Sequence, residues 1–577
     1  MKILLTAINS KYIHSNPAVY SLRAYADEYA KHVLINEYTI NHRMDYILRE
    51  IFKSRPDVIA FSCYIWNLEY IIELAVELAK ILPDVPIWLG GPEVSYDAAA
   101  FLGSNGVIKG IMVGEGEEIF KQLVRHYVSW DMPLEDIQGV VYRSRSGEIV
   151  ENPRRAILNM NDTPFIYKDL SEFENRILYY ETSRGCPFSC SYCLSSMDKS
   201  AKSVRFRSFS QVKGELQFFL DHNVKQVKFV DRTFNCNHKH AMEIWSYIEE
   251  HDNGITNFHF EISADLLNEE EIRLLSTFRP GLAQLEIGVQ STNGYTIEEI
   301  DRTMNFDKLC KNVRRIREGK NIHQHLDLIA GLPFEDIESF KHSFNQVYAL
   351  RPDQLQLGFL KILKGTKMYH MVSEYGVKYR DKPPYEVLCT NWISYEEMLR
   401  LKAVCEMTEV YFNSGQFNTT IEHLVTVFET PFACFDALAF FYEEHGLNEK
   451  SHSRISRYEI LLAFIRTQKE EHVSLYEDLL LYDLYLRENI KSRPYWAKDL
   501  QKYKNRIRDF YIKEEQSREF LKDYHSFNYK QLSKMTHIEP FAHDVMGDGK
   551  KGQFFILFEY RNRDELSYEA SSYLVHV

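Results

Sequence analysis

Between residues 181 and 193 the chain reads Glu181-Thr-Ser-Arg-Gly-Cys186-Pro-Phe-Ser-Cys190-Ser-Tyr-Cys193. This stretch holds three of the nine cysteines in a C-x-x-x-C-x-x-C spacing. A structural zinc site needs four ligands, usually from two C-x-x-C pairs, and the sequence has no second pair nearby. Three thiolates can instead hold three irons of a [4Fe–4S] cubane and leave the fourth iron open. The spacing therefore predicts an open-iron cluster; the alternatives are chance clustering or adventitious zinc.

The predicted cluster loop follows the first strand of a series in which strands alternate with helices. Such alternation is typical of parallel sheets with helical crossovers, and six units in a row predict a partial, TIM-like (β/α)6 barrel over residues 171–378. Catalysis in such barrels lies on the loops after the strands. The predicted strands are Ile177–Glu181, Gln226–Val230, Phe258–Ile262, Gln284–Val289, Leu326–Ala330 and Gln354–Phe359.

The cluster motif and its position resemble the radical SAM superfamily, whose members bind S-adenosylmethionine (SAM) on the open iron. The resemblance implies that Cys186, Cys190 and Cys193 are the metal ligands. Tyr192 matches the aromatic residue that the family carries just before the third cysteine. The activity implied is reductive cleavage of SAM to methionine and a 5′-deoxyadenosyl radical.

Polar residues after the later strands resemble the family's SAM-contacting positions. The resemblance implies that Asp231 lies near the amino group of SAM, and that Glu261 and Ser263 make polar contacts with its ribose. Gln290 and Ser291 match the family's G-x-[EQ]-S turn. The alternative for each residue is a polar group at a strand end that the protein itself satisfies.

Residues 1–145 form a separate alternating series, with predicted strands Lys2–Leu5, Val33–Ile35, Val58–Ser62, Ile87–Leu89 and Ile108–Val113. This pattern predicts a doubly wound, Rossmann-like domain, whose ligands bind at the carboxyl ends of the strands. No G-x-G-x-x-G follows the first strand, so a dinucleotide is disfavoured.

Small residues end two of these strands: Ser62 ends the third, and Gly90-Gly91 end the fourth. They let a bulky ligand approach the backbone, and they resemble the Ser and Gly-Gly positions of cobalamin-binding domains. Glu115, after the fifth strand, resembles the segment that closes this domain in cobalamin-binding radical SAM proteins. The cobalt-ligating histidine motif of many such domains is missing, and His14 is more simply a polar loop residue than its replacement.

The remaining segments carry weaker signals. Residues 146–170 are turn-rich and are predicted to be a linker, while residues 379–577 are predicted to be a mainly α-helical domain that caps the substrate site. A basic segment at 491–530, with interleaved aromatic residues, could face RNA. A solvated helix face with core aromatics is the favoured interpretation.

The composition of the chain limits the binding partners and the cellular location that we expect. The net charge of −13 disfavours sequence-independent binding to nucleic acid or anionic membrane. The first residues do not have the pattern expected of a signal peptide, and no stretch approaches the ~18 apolar residues of a membrane span. We therefore expect a cytoplasmic protein whose clustered cysteines bind metal. Radical SAM chemistry further implies a low-potential electron donor such as flavodoxin or ferredoxin.

The leading functional hypothesis is a cobalamin-dependent radical SAM enzyme that methylates an unactivated carbon of an unidentified substrate. A cobalamin-dependent rearrangement, cyclisation or oxidation is the second, because a fold does not choose among reactions. The third is a cobalamin or iron–sulfur sensor without catalysis.

Overall fold

The computed structural model describes residues 1–196, 204–468, 472–490 and 492–577. The chain divides into two compact units. The first comprises Met1–Gly319, Gly331–Asp336 and Phe359–Ser394; the second comprises Lys320–Ala330, Ile337–Gly358 and Tyr395–Val577.

The first unit begins with a seven-stranded sheet in the order β2-β1-β3-β4-β5-β6-β7. Strands β1 to β5 are parallel, and β6 and β7 add in antiparallel orientation. All five strands predicted for residues 1–145 are present. The elements are β1 (Ile3–Asn9), α1 (Pro17–Tyr25), β2 (Val33–Thr39), α2 (Met44–Ser54), β3 (Val58–Ser62), α3 (Leu68–Ile81), β4 (Ile87–Gly90), α4 (Pro92–Ser95), α5 (Ala98–Ser104), β5 (Gly110–Met112), α6 (Gly116–Ser129), β6 (Val140–Arg143) and β7 (Ile149–Glu151).

The strand order places a ligand crevice in this sheet. In an order that begins 2-1-3-4-5, the chain changes direction between β1 and β3, and ligands bind beyond the carboxyl ends of the strands at that point. Every residue of β1 and of β3 is buried, as expected for parallel strands covered on both faces.

One correction concerns the predicted linker. Residues 149–151 lie inside the predicted linker 146–170, yet they form β7, which pairs with β6 through Tyr142 opposite Val150. Gly147 supplies the left-handed turn between the two strands, at φ +90°. A three-residue strand offers too short an alternation for a periodicity argument, which is why the sequence did not reveal it.

From residue 178 to residue 394 strands and helices alternate, and all six predicted strands are present. In chain order the elements are β8 (Leu178–Tyr180), β9 (Ser183–Arg184), β10 (Arg205–Phe206), α7 (Phe209–Asp221), β11 (Gln226–Phe229), α8 (His238–Glu250), β12 (Asn257–Ile262), α9 (Glu269–Leu275), β13 (Ala283–Gln290), α10 (Gly294–Glu299), α11 (Phe306–Glu318), β14 (His323–Ala330), α12 (Ile337–Tyr348), β15 (Gln354–Phe359), α13 (Lys367–Met371), β16 (Lys378–Tyr379) and β17 (Val387–Cys389).

Within the first unit, β8, β11, β12 and β13 pair in parallel in that order. Their alternate side chains pack on the helices: Phe219 of α7 contacts Tyr180, and Trp245 of α8 contacts Phe260. The intervening side chains therefore lie on the sheet face that those helices leave open.

The second unit contains β14, β15, α12 and the C-terminal region. Its further elements are α14 (Tyr395–Thr408), a π-helical turn at Glu409–Asn413, α15 (Asn418–Leu424), α16 (Pro431–Glu444), α17 (Arg454–Gln468), α18 (Val473–Arg487), α19 (Lys504–Ser517), α20 (Tyr529–Met535), β18 (Thr536–His543), β19 (Lys551–Arg563) and β20 (Ala570–Val575). The sequence predicts a mainly α-helical region here, and the structure adds three strands in an antiparallel sheet. Pro540 and four polar residues interrupt the apolar pattern of β18, so the sequence did not reveal this strand.

Within the part of the chain that the structure describes, no single helix is long and apolar enough to cross a membrane. One pair of helices, Asn418–Val427 and Pro431–Glu444, reaches the required length and composition only together and is bent by 101°.

Candidate active site

The three cysteines lie on the loop that leaves the carboxyl end of β8. All three are free thiols; Cys190 is buried, and Cys186 and Cys193 are half-buried. The loop closes tightly, because the amide of Cys193 donates to the carbonyl of Cys190 at 3.1 Å. Ser196 donates its hydroxyl to the carbonyls of both residues, at 2.9 Å and 2.6 Å. Backbone groups of the loop are thus satisfied internally, and the sulfurs remain for a ligand.

The surroundings of the thiols fit a polynuclear cluster. The Thr233 hydroxyl lies 3.6 Å from the sulfur of Cys186, and Arg302 donates to the sulfur of Cys190 at 3.8 Å. Burial raises the pKa of the Cys190 thiol, and the Arg302 guanidinium opposes this by stabilising the thiolate. Among the described residues these three sulfurs, as placed, do not form a set within 4.8 Å of one another, the separation expected of ligands to a single ion.

Asp231 is hydrogen-bonded to the residues that directly precede this loop. It is completely buried, and its carboxylate accepts hydrogen bonds from the amide of Thr182 at 3.0 Å, the hydroxyl of Thr182 at 2.6 Å and the hydroxyl of Ser183. A carboxylate can accept about four hydrogen bonds, so the predicted contact with the amino group of SAM stays a prediction, although the three bonds present are all internal. The structure therefore favours a positioning role for Asp231.

Two predicted serines are also engaged inside the protein. Ser263 is buried and donates to Asp265 at 2.7 Å. Ser291 is buried, donates to Glu335 at 2.6 Å and accepts from the amide of Asn293. Both match the alternative of a satisfied strand-end group. Their roles in SAM binding stay predictions.

Gln290 differs from the serines. It ends β13 with φ at +73°, and its side-chain oxygen is buried without a hydrogen-bond partner in the described protein. The Nε of Arg302 is likewise buried and unpaired there. Buried polar groups in native proteins are normally satisfied, so these two atoms indicate a polar ligand beside the cluster loop.

The other two predicted residues of this edge are accessible. Glu261 of β12 is half-buried on the open face of the sheet. Tyr192 is half-buried within the loop, and burial raises the pKa of its hydroxyl. Tyr192 interacts with Cys190 and Arg302, and the roles of Glu261 and Tyr192 in SAM binding stay predictions.

A cavity of about 930 Å³ adjoins the cluster loop. Four predicted residues of the first sheet line it: Ser62, Gly90, Gly91 and Glu115. From the other side the cavity is bounded by Glu181, Arg184 and Val230, and by Leu194 and Ser195 directly after the third cysteine. Its volume is at the upper end of ordinary ligand sites. The carboxyl edges of both sheets thus border one space.

The structure explains the glycines Gly90 and Gly91 partly by the packing of the chain itself, whereas the sequence analysis explained them by the approach of a ligand. Gly91 has φ at +112°, and a Cβ there would lie 2.4 Å from the carbonyl oxygen of Cys63. A Cβ on Gly90 would meet the terminal methyl of Met112 at 3.3 Å. The prediction that these glycines make room for a ligand is therefore incomplete, because Gly91 is required by the packing of the chain itself.

His14 is not among the residues that line the cavity. Its Nδ1 lies 2.6 Å from the Tyr179 hydroxyl. Burial and the charges of Lys11 and Lys228 lower its pKa. The contact with Tyr179 agrees with the interpretation of His14 as a polar loop residue.

Sequence reasoning missed several charged residues. The open face of the second sheet carries Lys228, which donates to Glu286 at 2.9 Å, and His259, whose Nε2 lies 3.1 Å from the same carboxylate. Burial raises the pKa of Glu286, but these two partners outweigh burial and bring the pKa down to about 2. Because strand alternation places all three on that face, the pattern could have revealed them.

Arg184 was also missed, although it lies within the cluster motif. It is bonded to Glu181 at 2.9 Å, to Glu117, and to Glu115 at 3.5 Å. Glu115 was predicted to bind a cofactor, but it also accepts from Arg205 and from the amide of Leu158. Its carboxylate is therefore engaged by the protein, although it borders the cavity.

In the second unit the buried acids have protein partners. Asp478 accepts from Nδ1 of His543 at 2.8 Å and from Lys498 at 3.2 Å, and Glu539 is paired with Arg493. Lys498 and Arg493 belong to the predicted basic segment, whose first residue, Lys491, lies outside the described residues. Both cations serve internal carboxylates, which favours the interpretation without RNA.

Three family models match the chain. The B12 binding domain matches residues 3–124, the Radical SAM superfamily matches residues 180–347, and the Protein of unknown function (DUF4080) matches residues 373–558. The first two matches fall on the two sheets that border the cavity.

Known proteins share this organisation. The cobalamin-dependent radical SAM methyltransferase TokK of Streptomyces tokunonensis is 26% identical over 355 residues, 57% of this chain and 51% of TokK. The solved radical S-adenosylmethionine methyltransferase TsrM from Kitasatospora setae, with cobalamin and a [4Fe–4S] cluster bound, matches with a TM-score of 0.55 at 17% identity over 67% of this chain and 79% of TsrM. The cobalamin-dependent S-adenosylmethionine radical enzyme OxsB matches with a TM-score of 0.58 at 17% identity, over 83% and 80%.

At these identities the solved structures bear on the fold alone. The chain spans about half the length of the first two curated relatives, 51% and 44%. The domain order is nevertheless the one that the cluster motif and the Ser and Gly-Gly positions predicted. The chain thus carries, in order, a B12-binding domain, a Radical SAM domain and a DUF4080 region.

Proposed function

We propose that this chain is a cobalamin-dependent radical SAM methyltransferase that acts on an unactivated carbon of its substrate. One observation carries the proposal: a single cavity is bordered both by the Ser62 and Gly-Gly edge of the B12-binding domain and by the residues that flank the cluster loop. Two cofactors bound at these two edges would face one common space. The names of TokK and TsrM support methylation; that of OxsB specifies only a radical enzyme.

The donor set fits the proposed cofactors. Cys186, Cys190 and Cys193 would hold the cluster, and the unpaired atoms of Gln290 and Arg302 would orient the polar end of SAM. When bound, the cluster supplies the electron that breaks a carbon–sulfur bond of SAM, and cobalamin carries the methyl group to be transferred.

The protein's own part is binding, orientation and exclusion of water. Arg302 stabilises the thiolate of Cys190, and Thr233 lies against the sulfur of Cys186. The side-chain amide of Asn16 donates to the Ser62 hydroxyl at 3.2 Å, which fixes the edge of the cavity. Apolar lining residues such as Leu5 and Phe61 exclude water from the reaction space.

The test is anaerobic reconstitution with iron, sulfide, hydroxocobalamin, SAM and a low-potential reductant, followed by quantification of nucleoside products. We expect both 5′-deoxyadenosine and S-adenosylhomocysteine, and loss of both in Cys186→Ala. 5′-Deoxyadenosine alone would instead support the non-methylating reaction. If neither product forms and a Cys190→Ala variant keeps the biological effect, the sensor hypothesis replaces the enzyme.

Two finer statements belong to this proposal. A flavodoxin or ferredoxin would supply the electron, and the region 379–577 would shape the substrate site. Deletion of residues 380–577 tests the second: full turnover of the substrate by the truncated chain would refute it.

A further inference from the structure

An arginine in the cluster motif joins the two cofactor edges. Arg184 lies two residues before Cys186 and contacts three carboxylates: Glu181 on its own loop, and Glu115 and Glu117 on the segment that follows β5. We call these four residues the arginine bridge. Glu115 is the N-cap residue of α6 and Glu117 lies in its first turn, so the bridge ties the cluster loop to the start of a helix of the B12-binding domain.

The geometry of the bridge is specific to a guanidinium. The Nε of Arg184 donates to both oxygens of Glu181, at 2.9 Å and 3.0 Å, while its two terminal nitrogens reach Glu117 and Glu115. A planar fork with five donors can serve three carboxylates at once, whereas the compact ammonium of lysine is a point charge.

The bridge is also shielded from water. The side chains of Arg184 and Glu117 are 18% and 6% exposed. Charge pairs in such surroundings are weakly screened, and removal of one partner leaves an uncompensated charge. A tie of this kind resists distortion more than an exposed ion pair does.

The bridge residues also have partners outside the bridge: Glu117 accepts from the Ser21 hydroxyl at 3.5 Å, and Arg184 of β9 pairs with Arg205 of β10. Glu115 accepts hydrogen bonds from Arg205 at 3.2 Å and from the backbone amide of Leu158 at 2.7 Å. Glu115 is therefore a fixed anchor on the B12-binding side. All four residues line the cavity, so a change in the bridge changes the space between the two edges.

We propose that Arg184 is a positioning residue that holds the cluster loop at a fixed separation from the cobalamin edge of the cavity. This inference rests on the proposed function, because it assumes that both cofactors bind. Transfer between two bound groups is sensitive to placement, and a misplacement of 1 Å can cost about 100-fold in rate. The bridge would supply that accuracy without touching either reacting atom.

The test measures separation directly. Holoprotein is poised at a potential where cob(II)alamin and the reduced cluster coexist, and their magnetic interaction is measured by pulsed electron paramagnetic resonance. In Arg184→Gln we expect full iron and cobalamin content, a broader or shifted distribution of separations, and about 100-fold slower formation of S-adenosylhomocysteine. Arg184→Lys should recover part of both. The control is Arg125→Gln in α6, the helix whose first turn holds Glu117; this variant removes an exposed ion pair between Arg125 and Asp131.

The outcomes separate this inference from the proposed function. If wild-type protein binds no cobalamin or no cluster, the proposed function fails. If it binds both, and Arg184→Gln has the same separations and rate as Arg125→Gln, only the positioning role is overturned. If Arg184→Gln loses its iron, Glu117→Gln decides, because it breaks the bridge from the B12-binding side and leaves the cysteine loop unaltered. Unchanged separations in Glu117→Gln overturn the inference.

Discussion

The carboxyl edges of the two sheets in the first unit use their polar residues differently. At the first edge, Ser62, Gly90, Gly91 and Glu115 all border the cavity, although Ser62 and Glu115 also have partners in the protein. At the second edge, Asp231, Ser263 and Ser291 are buried and bonded within the protein. Strand-end position alone therefore does not separate a ligand contact from a structural bond; what separates them is whether the loop beyond the strand needs that group to hold its shape.

The largest effect expected at the second edge comes from loss of a cluster ligand. Cys190→Ala should abolish retention of the reconstituted cluster and all formation of 5′-deoxyadenosine, because the remaining thiolates cannot hold three irons. Iron and sulfide analysis with the visible absorbance checks this. Cys434→Ala is the control, since Cys434 is a buried free thiol of α16 and its loss should leave the iron content unchanged. Full cluster content in Cys190→Ala would contradict the assignment.

The second largest effect is expected at the first edge, from a substitution in the glycine pair Gly90-Gly91. Gly91→Ala should lower the affinity for hydroxocobalamin at least tenfold, about 1.4 kcal/mol, because its methyl group would overlap the carbonyl oxygen of Cys63 and its φ is strained for alanine. Gly106→Ala is the control, because a methyl group there would meet no atom within 4 Å and Gly106 does not line the cavity. Equilibrium titration of the corrin absorbance distinguishes the two. Equal affinities would show that the edge does not depend on this packing.

Asp231→Asn tests whether the second edge is structural. An amide in place of the carboxylate offers one acceptor oxygen fewer to Thr182 and Ser183, at a cost of about 1–3 kcal/mol. We expect a lower melting temperature of the apoprotein and a shorter lifetime of the cluster. The exposed Asp307→Asn serves as control. A fall in SAM affinity with unchanged stability would restore the predicted ligand contact instead.

The sequence predicted what depends on spacing and periodicity. The cysteine motif, the strand ends and the two alternating series were each visible because their signals are local. The sequence did not reveal Arg184 as a bridge, because its three carboxylates converge only when the segment after β5 meets the cluster loop. Nor did it reveal that Gly91 faces Cys63, because that contact joins two separate strand ends. Long-range contacts of this kind follow from the fold rather than from any local pattern.

The smallest effect concerns His240, which underlies the second edge. It is buried, its Nε2 lies 3.0 Å from the Thr182 hydroxyl, and burial lowers its pKa to about 4. Since the hydroxyl proton of Thr182 goes to Asp231, the hydroxyl oxygen accepts from a neutral His240. In the unfolded chain the pKa is about 6.5. The stabilisation is therefore complete above pH 6.5 and is lost as the pH falls towards 4, by about 2 kcal/mol at pH 5.

His240→Gln removes this titration while keeping a donor near Thr182. Between pH 7.5 and pH 5 the unfolding free energy of the wild-type apoprotein should therefore fall by about 2 kcal/mol more than that of the variant. Urea denaturation at the two pH values measures the difference, and the contributions of all other histidines cancel between the two proteins. A gap that does not change with pH would mean that His240 titrates as an exposed residue. The second edge would then be open to solvent at this position, and the contrast between the two edges would fail there.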